Sequence, residues 1–122
     1  MNLTLYTECF FDASHQLDGH PGPCRQLHGH SWKVSVWVAG TDGQLDDCGI
    51  LWDFGKLHAL KDELDHRHLN AVLPANPTAE NLALHIYRRL KAKDPDLQFR
   101  VRVYESQVPS PAYCETGDPD AP

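Results

Sequence analysis

One stretch narrows the possibilities for this chain more than any other. From His28 it reads His-Gly-His-Ser-Trp-Lys-Val-Ser-Val-Trp-Val, ending at Val38, and every even position from Trp32 to Val38 is apolar. Alternation at period two is the signature of a strand with one buried face. Residues two apart on a strand point the same way, so His28 and His30 share the face of Trp32, Val34, Val36 and Val38. Two imidazoles side by side at the end of an apolar face are costly to keep unless a metal or a substrate meets them there. Cys24 precedes His28 by a spacer of three residues.

The segment before it predicts a partner strand. Leu3, Leu5, Thr7 and Cys9 alternate with more polar positions up to His15, and the adjacent Phe10 and Phe11 predict a bulge or a change of exposed face. Asp18 to Pro23 is dense in Gly and Pro and reads as a loop. Strand, loop and strand give an antiparallel pair that sets His15 near His28 and His30.

Downstream, Cys48 to Trp52 reads as a short extended segment. Asp53 suits a helix N-cap, followed by Phe54, Leu57, Leu60 and Leu64 at helical spacing, with the helix ending around Asp65 to His68 and Asn70 as terminator. Thr78, just after Pro77, caps a second helix with an apolar stripe of Ala79, Leu82/Ala83, Ile86 and Leu90, ended by Lys91 to Pro95. Phe99, Val101 and Val103 then alternate with Arg100, Arg102 and Tyr104, and Glu105 closes that strand. Pro109 and Pro111 restrict the stretch from Val108 to Cys114 to an edge or irregular strand. The Pro- and Asp-rich residues 115–122 read as a disordered tail, so the expected domain is a single one over residues 1–114.

The order β-β-α-α-β-β predicts an α+β fold: a four-stranded antiparallel sheet with two helices on one face. Such a sheet leaves two open edges, which predicts self-association. A net charge of −6 without any Lys/Arg cluster argues against nucleic acid or an anionic membrane as the main partner. No run approaches a membrane span and the first residues do not resemble a signal peptide. The four cysteines are scattered without a CxxC, which suits a reduced, cytoplasmic setting.

Several residue groups here carry chemistry. His15, His28 and His30 supply three imidazoles, the ligand number of a catalytic zinc site that keeps one position open. Cys24 is either a further ligand or a thiolate that acts as nucleophile or base. Without a metal, these would be ordinary surface or core side chains. Asp65 beside His66 suits acid–base chemistry, but neighbours on a regular helix point roughly 100° apart, so direct pairing requires the helix end. The alternative is that His66 and His68 complement the helix dipole. Glu105 could hold a guanidine-like edge of a ligand through paired hydrogen bonds. Thr78 and Glu80 lie in the first turn of the second helix, where capping is the ordinary explanation.

Taken together, these residues resemble the 6-pyruvoyl-tetrahydropterin synthase / 6-carboxy-tetrahydropterin synthase family. The resemblance is carried, in order, by Phe11-Asp12-Ala13-Ser14-His15, Cys24-x-x-x-His28-Gly29-His30, Trp52-Asp53-Phe54-Gly55-Lys56-Leu57, Leu64-Asp65-His66-Arg67-His68-Leu69-Asn70, Asn76-Pro77-Thr78-Ala79-Glu80-Asn81 and Val103-Tyr104-Glu105. It implies the tunnelling fold (T-fold), with subunits joined edge to edge as trimers and two trimers stacked into a homohexamer. It implies one zinc per subunit on His15, His28 and His30, with Cys24 in proton transfer rather than ligation. Asp65 and His66 are expected from a neighbouring subunit, so the active site would lie at the subunit interface. Glu105 would hold the 2-amino/N3 edge of the pterin, with Thr78 and Glu80 as further substrate-binding candidates. The three-residue spacer after Cys24 is similar to that of the bacterial 6-carboxy branch of 7-deazaguanine and queuosine synthesis. The resemblance therefore implies conversion of 7,8-dihydroneopterin triphosphate, with loss of acetaldehyde and triphosphate. The alternatives are 6-pyruvoyl formation, side-chain cleavage of sepiapterin-like compounds, and a non-catalytic zinc module. Val108 to Pro111 departs from the family's pattern after the glutamate.

Overall fold

The alternating stretch forms the centre of the sheet. In the computed structural model, which describes all of residues 1–122, β1 runs Asn2–His15 and β2 runs His28–Thr41. They pair antiparallel without interruption from Asn2↔Thr41 to His15↔His28. Neither the bulge nor the change of exposed face expected near Phe10-Phe11 is present. Phe11 turns into the core (2% exposed) while Phe10 stays half-exposed on the other face, so the adjacent aromatics simply straddle the sheet.

After β2, helix α1 spans Gly55–Asp62. Asp53 accepts from the Gly55 amide at 2.8 Å, as the capping argument expects. The Cys48–Trp52 segment is a loop rather than a strand, because the Asp46 carboxylate accepts from the amides of both Cys48 and Ile50 and curls it. A two-residue strand β3, Arg67–His68, runs parallel to β1 at Ala13 and Ser14. Helix α2 covers Ala79–Lys93, capped by Thr78, whose hydroxyl accepts from the Asn81 amide at 3.1 Å. Strand β4, Gln98–Ser106, pairs antiparallel with β2, and β5, Ala112–Gly117, pairs with β4.

The sheet order is β3-β1-β2-β4-β5. The fold is the expected α+β T-fold, with five strands in a mixed sheet where four antiparallel ones were expected. Cys9, Phe11 and Ala13 of β1, Trp32, Val34, Val36 and Val38 of β2, and Phe99, Val101 and Val103 of β4 lie on one face. They form a single core with Leu57, Leu60 and Leu64 below α1 and Leu82, Ile86 and Leu90 of α2. Both helices therefore cover the same face, as expected.

The disorder expected over residues 115–122 does not extend to Glu115–Asp118. β5 continues through Gly117, and the Asp118 carboxylate accepts from the Phe99 amide at 2.8 Å, from Lys91 Nζ at 3.1 Å and from the Tyr87 hydroxyl. A Cβ on Gly117 would stand 2.8 Å from Arg100 Cα, so glycine permits the strand to close here.

Candidate active site

β-Pairing alone assembles the three histidines. His15 ends β1, His28 opens β2 directly opposite, and His30 sits opposite Ala13. His15 is fully buried and the other two are half-buried. One ring nitrogen from each lies within 4.8 Å of the others. The indole of Trp32, fully buried, floors the group edge-on, with ring centroids 5.1 Å from His15 and 5.3 Å from His30. Phe11 stacks behind that indole at 6.2 Å.

The hydrogen bonds assign the ring nitrogens. His15 Nδ1 donates to the Pro77 carbonyl at 2.8 Å, and His28 Nδ1 donates to the Gln26 carbonyl at 2.7 Å. A carbonyl only accepts, so both protons sit on Nδ1 and the neutral rings carry lone pairs on Nε2. Those two Nε2 atoms face each other at 2.9 Å. Two lone pairs at that distance repel unless a cation stands between or beside them. His30 Nε2 is buried without a hydrogen bond, and Glu105 Oε1 is 3.5 Å from it. Burial pushes both His15 and His30 below the ordinary histidine range, against the Pro77 carbonyl at His15 and Glu105 at His30, and so favours the neutral ring that metal ligation requires. Three imidazoles with ring nitrogens within 4.8 Å of one another, two of them oriented by backbone carbonyls, fit a three-histidine zinc centre with an open position.

Cys24 stands apart from this group. It lies half-buried in a 3-10 turn, Pro23–Arg25, on the connection between His15 and His28, and its carbonyl accepts from the Leu17 amide at 2.8 Å. Its sulfur does not join the cluster of converging donors.

Asp65 and His66 do pair, and the backbone explains how adjacent residues manage it. His66 has φ of 57°, in the left-handed region, which turns its ring back so that Nδ1 lies 3.0 Å from Asp65 Oδ1. The His66 amide donates to the Asp12 carbonyl at 2.7 Å, and the Asp12 amide donates to Asp65 Oδ1 at 3.0 Å. Those bonds from Asp12, and then His66, hold the Asp65 carboxyl below the ordinary carboxylate range. A left-handed non-glycine residue costs on the order of 1 kcal/mol and persists only where its surroundings impose it. No hydrogen bond or ion pair joins Asp65 or His66 to Cys24 or to the three histidines of the same chain. Asp12 stood in the first family motif, but its backbone contacts to Asp65 and His66 could not be read from the sequence.

Two open cavities flank His30. One of about 550 Å³ is bordered by Asp12, Ser14, Ser31, His66, Arg67 and His68. The other, of about 430 Å³, lies between His30 and Glu105 and reaches Gln107 and Val108. Thr78 spends its hydroxyl on the helix cap, and Glu80 is exposed in the first turn; neither borders these cavities. Pro77 and Gln26, whose carbonyls orient the histidines, carry no side-chain signal and were not legible in advance.

A family model described as 6-pyruvoyl tetrahydropterin synthase matches residues 4–115. A protein named 6-carboxy-5,6,7,8-tetrahydropterin synthase from Synechocystis is 40% identical over 97 residues, covering 71% of this chain and 74% of its own. A protein of the same name from Haemophilus influenzae is 29% identical over 138 residues, covering 88% and 94%. A dihydroneopterin monophosphate aldolase from Pyrococcus furiosus is 38% identical over 99 residues, covering 78% and 81%. An uncharacterised protein from Wolinella succinogenes shares the fold, with a TM-score of 0.67 at 20% identity, over 93% of this chain and 98% of that one.

Proposed function

The chain belongs to the 6-pyruvoyl tetrahydropterin synthase family, a family of pterin-synthesising enzymes, and from that premise we propose that it is a zinc-dependent lyase. It converts 7,8-dihydroneopterin triphosphate and water to 6-carboxy-5,6,7,8-tetrahydropterin with release of acetaldehyde and triphosphate, a step toward 7-deazaguanine and queuosine. The observation that carries the reading is the pair of Nε2 lone pairs facing each other at 2.9 Å beside a third, unpartnered imidazole nitrogen. The names of the bacterial relatives support the 6-carboxy reaction within the family.

His15, His28 and His30 hold the metal, whose charge, when bound, polarises the oxygens of the pterin side chain. Cys24, on the loop between two ligands, takes the side-chain proton as thiolate. Asp65 orients His66 through the 3.0 Å pair, and His66 relays that proton. By the family resemblance the pair, which makes no contact with Cys24 of its own chain, serves the site of a neighbouring subunit in a cytoplasmic homohexamer of two trimers. Both β3 and β5 leave an outer edge open for that association. Glu105 accepts from the 2-amino and N3 hydrogens of the pterin, which sets the side chain beside His30.

The test is product analysis of the zinc-loaded protein with 7,8-dihydroneopterin triphosphate. Acetaldehyde and the 6-carboxy product are expected. Cys24→Ala should retain stoichiometric zinc and lose turnover by at least about 100-fold. Loss of zinc from that variant would make Cys24 a ligand and end its assignment as base. An aldol cleavage, the reaction class in the name of the Pyrococcus furiosus relative, would instead leave a hydroxymethyl group on the pterin in place of the carboxylate and release no acetaldehyde.

A further inference from the structure

The cavity between His30 and Glu105 holds one polar side chain that nothing else uses. Of the residues around it, Ser31 donates its hydroxyl to Asp12 Oδ1 at 2.6 Å, and Ser106 donates its own to the Ser110 carbonyl at 2.9 Å. Gly29 and Val108 offer no polar side chain, and His30 belongs to the metal centre. Gln107 remains: it is half-buried, and its carboxamide makes no hydrogen bond within the chain. The loop that carries it is closed at its base by the Ser106–Ser110 bond and by the pairing of Ser106 with Ala112. The carboxamide is therefore presented from a fixed base, one residue beyond the neighbour of Glu105.

A carboxylate only accepts, so Glu105 can hold the two N–H groups of a 2-amino-4-oxo pyrimidine edge but not the carbonyl beside them. That carbonyl needs a donor, and a buried ring oxygen left unpaired would cost affinity. We propose that Gln107 is a specificity-determining residue of this cavity: its carboxamide N–H donates to the 4-carbonyl of a ligand whose 2-amino and N3 hydrogens Glu105 accepts. The inference rests on the pterin reading of the site given above.

Pterin and lumazine are suitable probes, since both carry the 4-carbonyl and they differ at position 2. Their binding to zinc-loaded protein is followed by quenching of ligand fluorescence. Gln107→Ala should weaken both ligands by the same factor, at least about threefold, as expected for one neutral hydrogen bond. Gln107→Met, similar in length without a donor, should do the same. Zinc content and the urea midpoint show that both variants are folded. Glu105→Gln should abolish the preference for pterin over lumazine. Less than a threefold change in both Gln107 variants overturns the inference, as does a change in the pterin/lumazine preference, because that would place Gln107 at position 2. If the unaltered protein binds neither ligand, or Glu105→Gln keeps the preference, the pterin reading itself fails and the inference falls with it.

Discussion

Replacing Asp118 by alanine is expected to destabilise the domain by about 3 kcal/mol. The carboxylate is only 10% exposed and has three partners: the Phe99 amide, Lys91 Nζ and the Tyr87 hydroxyl. Hydrogen bonds to a charged group contribute about 1.5–3 kcal/mol each. The three do not add, because Lys91 keeps the Leu97 carbonyl at 2.7 Å and Tyr87 is placed to reach water. The Phe99 amide is left without a partner, so its desolvation and one charged contact dominate the loss. Asp118→Asn keeps an acceptor for that amide but not the charge, and should cost about half as much. Urea unfolding, followed by far-UV circular dichroism at fixed protein concentration, reads both, since self-association would otherwise shift the midpoint. Burial works against ionisation of Asp118, yet the bonds from Tyr87, Phe99 and Lys91 hold its carboxyl below the ordinary range. The folded state thus binds fewer protons than the unfolded one in acid. The stabilisation is complete above the unfolded value near 3.9 and is lost as pH falls below it. The gap between wild type and variant should be flat from about pH 5 to 8 and close in stronger acid. A gap under about 0.5 kcal/mol at pH 7 would refute the claim that this residue anchors β5 and the start of the tail.

His66→Gly should leave stability unchanged or raise it by up to about 1 kcal/mol, because the left-handed φ is no longer strained, while turnover falls at least about 100-fold; unchanged turnover would remove His66 from the mechanism. In the metal-free protein, burial keeps His15 and His30 below the ordinary histidine range, whereas unfolded histidines take up protons near 6.5. Its urea midpoint should therefore fall as pH drops from 7.5 to 5.5, and a constant midpoint would contradict the assignment of neutral rings. Thr78→Ala should cost about 1 kcal/mol of stability through the lost cap, with little effect on KM. A large rise in KM at unchanged stability would instead place its hydroxyl on the substrate.

What could be read in advance was whatever one element decides alone. Strand parity put His28 and His30 on the face of Trp32, and the antiparallel pairing brought His15 to them, because both follow from alternation along the chain and a Gly/Pro-rich loop between two strands. The capped, striped sequence from Thr78 to Lys93 specified α2 for the same reason. That the three histidines cluster while Cys24 stands apart was also legible, with help from the family resemblance. Features held together by distant partners were not. Phe10 and Phe11 looked like a bulge because neighbouring aromatics break the period, yet an aromatic is welcome on either face, and Lys33 lies over the outward one at 5.8 Å. Strand β3 has two residues and no propensity signal; it exists because the chain leaving α1 is tied to Asp12. Composition alone marked the segment after Cys114 as too polar to order, and bonds from Tyr87, Lys91 and Phe99, distant in sequence, reversed that for its first residues. The sequence by itself determined which imidazoles share a face. Only the tertiary structure supplied the carbonyls of Gln26 and Pro77 that turn two of their lone pairs toward one another, because a backbone acceptor becomes a ligand's partner only once the chain has folded back on it.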